Sequence, residues 1–311
     1  MTLHPLRLLT ALMLMGLIAT PTLAGGEGWT DNYANAKKDA ETQGKDMLMD
    51  FTGSDWCGWC IKLVDEVFSK DEFKAYAKSN LVLVELDFPR DKSKISDEVK
   101  AQNAELKEKF GIRGYPTIIL ADAQGRPYAQ TGYQRGGPEA YIKHLEELKA
   151  KRVERDEHMA AAEKAEGIEK AKHLFAAMQV VGDDIALQHY KPVVDEIISL
   201  DNDGNAGLAK YYQDLAIAKE QKAELMSILR SVRGDADGAI AKLDDMLSKK
   251  DLIKSVRQEA LSYKSQIQLN MLKDKPAAKV TLLKAIEVDP DSKMAESLRG
   301  ALKRFFGDDG V

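Results

Sequence analysis

Met47-Leu48-Met49-Asp50-Phe51-Thr52-Gly53-Ser54-Asp55-Trp56-Cys57-Gly58-Trp59-Cys60 contains the only two cysteines of the 311-residue chain and sets them two residues apart. A disulfide across so short a loop removes little conformational entropy from the unfolded chain and is a poor staple, so the value of the pair lies in opening and closing. Met47 to Phe51 is a short, mostly apolar run suited to a buried strand, and the polar turn Thr52-Gly53-Ser54-Asp55 leads from it to the cysteines. After Cys60, the apolar residues Ile61, Leu63-Val64 and Val67-Phe68 recur at helical spacing. The pattern predicts a strand feeding a helix, with Cys57 near the helix N-terminus, where the dipole and free N–H groups favour a thiolate. Cys57 is therefore expected to be the nucleophile and Cys60, one turn further in, the resolving thiol.

Zinc is the main rival for such a pair, and it needs about four ligands. There is no second pair, and His4, His144, His158, His173 and His189 are scattered along the chain. Redox chemistry is the favoured reading, with an intermolecular metal site or an inert surface disulfide as alternatives. No resident metal or bound cofactor is expected.

Further residues follow in a telling order. Leu81-Val82-Leu83-Val84-Glu85-Leu86-Asp87 reads as a second core strand, and Gly111-Ile112-Arg113-Gly114-Tyr115-Pro116-Thr117 as a proline loop. Thr117 to Leu120, the turn Ala123-Gln124-Gly125-Arg126, and Tyr128 to Thr131 read as a closing hairpin, followed by Gly132 and a helix from Pro138 to Ala150. With the cysteine pair, this series resembles the thioredoxin superfamily over roughly Gly26 to Ala150. The resemblance implies a cis Pro116 facing the cysteines, leaving backbone groups of Tyr115 free to pair with an extended substrate. Trp56, Gly58, Trp59, Tyr115 and Pro116 are accordingly expected to contact substrate. It also implies that Asp50, late in the strand before the pair, lies beneath it and exchanges a proton with Cys60, although the intervening turn is one residue longer here. Glu85, on the neighbouring strand, is expected close to Asp50; the plain alternative is that Asp50 only caps the turn. Two departures stand out. The familiar Gly-Pro between the cysteines is Gly58-Trp59, which leaves the direction of electron flow open. Arg90 to Gln102 is a charged insertion that either reshapes the rim of the substrate groove or extends a surface helix.

Arg7, the apolar run Leu8 to Ala19, and Thr22-Leu23-Ala24 read as a secretory signal, with the periplasm as destination and the mature chain starting at Gly25. That run is too short for a comfortable membrane span, and none is expected later. The formal charge is −5 with 45 basic and 50 acidic residues, a mixed balance that makes no electrostatic case for nucleic acid or anionic lipid. From about Arg152 the sequence becomes rich in Ala, Lys, Glu and Leu, loses strand-like runs and is punctuated by turn residues. The expected organisation is a signal at 1–24, an α/β thioredoxin-like domain at 25–150, and an all-α helical-repeat domain at 151–311. Asp235 to Leu243 aligns with Asp274 to Leu282, a faint repeat that weakly resembles the tetratricopeptide class. Asp201-Asn202-Asp203-Gly204-Asn205 looks like the start of a calcium loop, but Ala206 and Tyr212 stand where that loop needs glycine and glutamate, so a turn and helix cap are expected.

The function expected from these features is an exported thiol-disulfide oxidoreductase. Its partners would be a disulfide- or thiol-containing client protein and an upstream redox protein. The alternative is a redox-sensing adaptor whose helical half binds one dedicated partner.

Overall fold

The computed structural model of the chain describes residues 26–231 and 235–307; the expected signal at residues 1–24 lies outside them. Near the N-terminus are β1 Trp29–Thr30, α1 Tyr33–Gln43, β2 Asp46–Thr52 and α2 Gly58–Leu63, which runs on as a π-helical segment Val64–Phe68. Then come α3 Asp71–Asn80, β3 Leu81–Asp87, a 3₁₀ turn Lys92–Lys94, α4 Asp97–Lys109, β4 Thr117–Ala121, β5 Pro127–Thr131 and α5 Gly137–Ala162. The strands form one sheet in the order β1-β3-β2-β4-β5. β2 runs parallel to β3 and antiparallel to β4, and all of its residues are buried, as its apolar reading requires of a central strand.

Alternation along β2 sends its side chains to two layers. Met47, Met49 and Phe51 join Val84, Leu86, Ile119 and Ala121 in a core closed by Ala36 and Ala40 of α1 and Leu106 of α4. The opposite layer is aromatic: Phe68 lies 5.0 Å from Trp29, 4.8 Å from Phe73 and 5.8 Å from Tyr141, ring centre to ring centre. Burying a side chain such as Phe68 or Phe73 contributes roughly 1.5–3 kcal/mol over leaving it exposed. Asp46, Leu48, Asp50 and Thr52 alternate with the Met47-Met49-Phe51 set and so belong to the other side of the sheet.

The change in composition near residue 150 does not coincide with an element boundary, because position 150 lies inside α5, a continuous helix of 26 residues. Its second half is anchored by Arg155, which is fully buried and donates to Asp122 at 2.7 Å and to the Tyr190 hydroxyl at 2.6 Å. Tyr190 in turn donates to the Pro127 carbonyl at 2.9 Å. By contact the described chain divides into one compact unit of residues 26–164 and 173–193 and another of 165–172 and 194–307.

The remaining elements are all helices: α6 Gly167–Val181, α7 Asp183–His189, α8 Lys191–Leu200, α9 Leu208–Ser231, α10 Ala236–Ser248, α11 Lys254–Asn270, α12 Lys275–Val288 and α13 Lys293–Phe306. Leu225, Ile228, Leu243, Met246, Val256 and Ile267 share one core, and Leu282, Ala285, Leu298 and Leu302 a second. The two aspartates aligned by the internal repeat do the same work, Asp235 capping α10 through Gly238 N and Asp274 capping α12 through Ala277 N. Asp201 accepts from Ala206 N and Ala209 N at the start of α9, and these backbone bonds, that to Ala209 first, hold its carboxyl below the usual range. No helix among the described residues is long and apolar enough to cross a membrane.

Candidate redox site

Cys57 and Cys60 are joined by a disulfide. Cys57 is the N-cap of α2, and its sulfur accepts from Cys60 N at 3.2 Å, so the sulfur occupies the place where a capping oxygen would normally receive the first free N–H groups. The Tyr115–Pro116 peptide bond is cis. A Cβ on Gly132 would stand 3.1 Å from the Pro116 carbonyl, so glycine lets the chain after β5 pass close to the proline loop. Gly53 serves a similar purpose, since a Cβ there would collide with the Trp56 indole at 2.6 Å.

Both tryptophans beside the cysteines are exposed, Trp56 by 38% and Trp59 by 52%, which leaves apolar surface next to the disulfide. Each indole is nevertheless held. Trp56 Nε1–H donates to the Phe88 carbonyl at 2.8 Å, its ring meets Tyr115 edge-on at 5.6 Å, and the Arg90 guanidinium lies 5.6 Å over it. Trp59 packs on Tyr133 at 5.2 Å, with the Lys62 ammonium 5.4 Å from both rings. Tyr133 donates its hydroxyl to Glu66 at 2.5 Å, and Glu66 lies 3.5 Å from Lys62.

The turn leading into the cysteines is tied down from β3 onward. Asp87 accepts from Ser54 N at 2.8 Å and Ser54 Oγ at 2.6 Å. Asp55 accepts from Arg90 N at 2.8 Å and Asp91 N at 3.1 Å and pairs with Lys94 at 3.3 Å; the two backbone bonds lead the causes that lower its carboxyl to about 2. The insertion from Arg90 to Gln102 therefore belongs to the rim of the site at its N-terminal end, and it becomes a helix only from Asp97.

Asp50 sits within β2, in register with Glu85 on β3 and Ile118 on β4. It is buried, and burial first, then the charges of Glu85 and Asp87, push its carboxyl well above the usual range. Its Oδ1 has no hydrogen-bond partner among the described residues. The turn is capped by Asp87, not by Asp50. The sequence pattern assigns no site role to Ser54, Asp87, Thr52, Lys62, Glu66 or Tyr133. Thr52, read from its polar neighbours as part of the turn, is instead the last residue of β2, on the same face as Asp50; Tyr133 reaches Glu66 across 67 residues with no local pattern to announce it.

Residues 33–149 match a family model described as a thioredoxin-like domain. Over 122 residues the chain is 38% identical to "Disulfide bond reductase DsbH" of Chlamydia pneumoniae, a match covering 39% of this chain and 72% of that protein. It is 29% identical over 138 residues to "Thioredoxin-related protein DsbJ" of the same organism, covering 42% of this chain and 39% of that one. It is also 29% identical over 117 residues to "Thiol:disulfide interchange protein DsbD" of Yersinia pestis, covering 36% of this chain and 17% of that one. A solved structure named "DsbH Oxidoreductase" aligns at 31% identity and a TM-score of 0.37, over 47% of this chain and 94% of that one. With DsbH matched over most of its length and the dithiol in place, the chain belongs to the thioredoxin-like thiol-disulfide oxidoreductases.

Proposed function

We propose that the protein is exported, reduces disulfides of protein clients, and is itself re-reduced by an upstream redox protein. The observation that carries this reading is the Cys57–Cys60 pair at the N-terminus of α2, with Cys57 as the cap, beside two exposed indoles, one of them in contact with Tyr115 of the cis-proline loop. Likeness to a protein named a disulfide bond reductase supports the reducing direction, and the signal-like pattern of residues 1–24 supports export to the periplasm.

In this mechanism the Cys57 thiolate attacks a client disulfide, forming a mixed disulfide and releasing the second client sulfur as a thiolate. Cys60 then gives up its proton and attacks Cys57 Sγ, which releases the first client sulfur and leaves the Cys57–Cys60 disulfide. Asp50 is the acceptor of the Cys60 proton, a role supported by its raised carboxyl and its unpartnered Oδ1. Trp56, Trp59 and the backbone at Tyr115 and Pro116 form the client-contacting surface around Gly58.

Trapping tests the assignment of the two thiols: Cys60→Ser is expected to accumulate mixed disulfides with clients and Cys57→Ser few, as read on non-reducing gels. The direction is tested by the reduction potential, for which a value near roughly −270 mV fits a reductant and one near −120 mV overturns it. A mature N-terminus at Gly25 tests export. A second reading, a dedicated adaptor, draws on the residues beyond 149 that the family model leaves unmatched. A general enzyme turns over unrelated disulfide proteins, whereas an adaptor stalls with one.

A further inference from the structure

Arg90 opens the insertion that follows β3, and its guanidinium lies 5.6 Å over the Trp56 ring. Lys107 of α4 sets its ammonium 5.4 Å over Phe88 and 5.3 Å over Tyr115. The three rings form one cluster: Trp56 meets Tyr115 edge-on, Phe88 lies 5.3 Å from Tyr115, and the Trp56 Nε1–H bond to the Phe88 carbonyl ties the first to the last. Two cations from separate elements therefore rest on one aromatic floor, which includes the neighbour of Cys57 and the first residue of the cis Tyr115–Pro116 bond.

A ring holds a cation through its quadrupole and supplies no countercharge. Stacking thus orients Arg90 and Lys107 while leaving their N–H groups available. Neither has a carboxylate partner among the described residues, nor does Arg113 of the proline loop. The carboxylates of the same stretch are engaged: Asp87 by Ser54, Asp55 by Arg90 N, Asp91 N and Lys94, Asp91 by Ser93, and Asp97 by Lys100. On the Trp59 side charge is balanced, because Lys62 and Arg135 both act on Glu66 and Asp65 is a further exposed acid. The uncompensated charge at the rim is positive and one-sided, in a chain whose formal charge is −5.

We propose that Arg90 and Lys107 form a carboxylate-binding subsite, which selects client segments carrying acidic residues on one side of the reacting cysteine. The inference rests on the reading of the protein as a reductase of protein disulfides and adds the class of client. A client strand passing Tyr115 brings its side chains over the Trp56–Phe88–Tyr115 floor. There the Arg90 fork takes a carboxylate through two N–H donors and the Lys107 ammonium acts as a point charge beside it. Charges at a rim act before contact is complete, so their effect falls on the rate of attack by Cys57 and weakens with salt. The overall charge sharpens the distinction: a net negative chain repels acidic peptides at long range, so a preference for them has to be local.

The test uses the reduced full-length protein and peptides of equal length, each with one cysteine held as a mixed disulfide with 2-thiopyridine. Cys57 attacks the peptide sulfur, the absorbance of the departing thiopyridine reports the rate, and Cys60 then frees the peptide. The peptides differ only in carrying a pair of glutamates, lysines or serines before the cysteine or after it. At about 0.01 M salt one of the two glutamate peptides is expected to react about fivefold faster than its serine counterpart, and the other no faster than serine. The gain should fade toward 1 M salt, where the screening length is about 3 Å. Arg90→Gln combined with Lys107→Gln should erase the gain, and Arg90→Glu combined with Lys107→Glu should pass it to the lysine peptide. Only ratios between peptides are read, so a rim slowed as a whole does not imitate the result. Equal rates for all peptides, an equal gain from glutamates on both sides, or a gain that survives the paired glutamine substitutions would each overturn the proposal. Failure of the underlying reading looks different: the mixed disulfide forms and Cys60 never frees the peptide, whatever flanks it, and the subsite then loses its client. Normal release with no glutamate preference removes the subsite alone.

Discussion

A carboxyl buried as Asp50 is must be tolerated by the fold, and the tolerance has a sign. Between the ordinary aspartate value of 3.8 and its raised value in the sheet, the folded protein binds more protons than the unfolded chain, so stability falls as pH rises through that window. Asp50→Asn is therefore expected to stabilise the protein near neutral pH by on the order of 1–3 kcal/mol. The gain should vanish below pH 3.8, where both states are protonated, as followed by urea unfolding across pH. Much of this residue scale was legible: the cysteine spacing, the proline loop and the position of Asp50 were all in the sequence. The Asp87 bonds to Ser54 were not, because the two residues are 33 apart and only the register of β2 against β3 brings them together.

At the scale of elements, the loop after β3 and the turn before α2 behave as one piece, and Asp55 is the pin. Asp55→Ala removes the acceptor of two backbone N–H groups and the partner of Lys94. It is expected to loosen the Trp56 rim, slow client attack several-fold and lower stability by on the order of 1 kcal/mol, the usual loss when a side chain that accepts from free backbone N–H groups is removed, as followed by thermal unfolding. Helix α7 carries a different sensitivity. His189 packs on Phe110 at 5.1 Å, and burial, with Lys109 adding to it, depresses the imidazole from the ordinary 6.5 to about 4. The unfolded chain then binds the extra proton, so stability present above 6.5 is lost as pH falls toward 4. His189→Gln should flatten that part of the pH–stability curve. The insertion could be counted in the sequence but its attachment could not, because the capping of Asp55 depends on backbone N–H groups that carry no residue signature.

For the whole molecule, the telling residue is Arg155. Lys149-Ala150-Lys151-Arg152 marks a change of composition without a helix stop, so the sequence suggested a boundary where the chain simply continues as α5. A fragment of residues 26–150 lacks both Arg155 and Tyr190 and leaves Asp122 short of its buried partner. A fragment of 26–193 is expected to be the more stable by about 3–5 kcal/mol, the usual loss when one member of a buried ion pair is removed. Equal urea midpoints for the two would mean that the Arg155 contacts hold nothing. The helical character of the second half was plain from composition, yet its packing partners were not, since periodic apolar faces say that a helix is covered without saying by what. One consequence of the indoles beside the cysteines reaches the laboratory bench. The chain has three tryptophans, and Trp56 and Trp59 flank the disulfide while Trp29 lies buried against Phe68. A disulfide accepts an electron from an excited indole, so opening the bond should brighten the emission, and the protein carries its own unlabelled optical gauge of oxidation state.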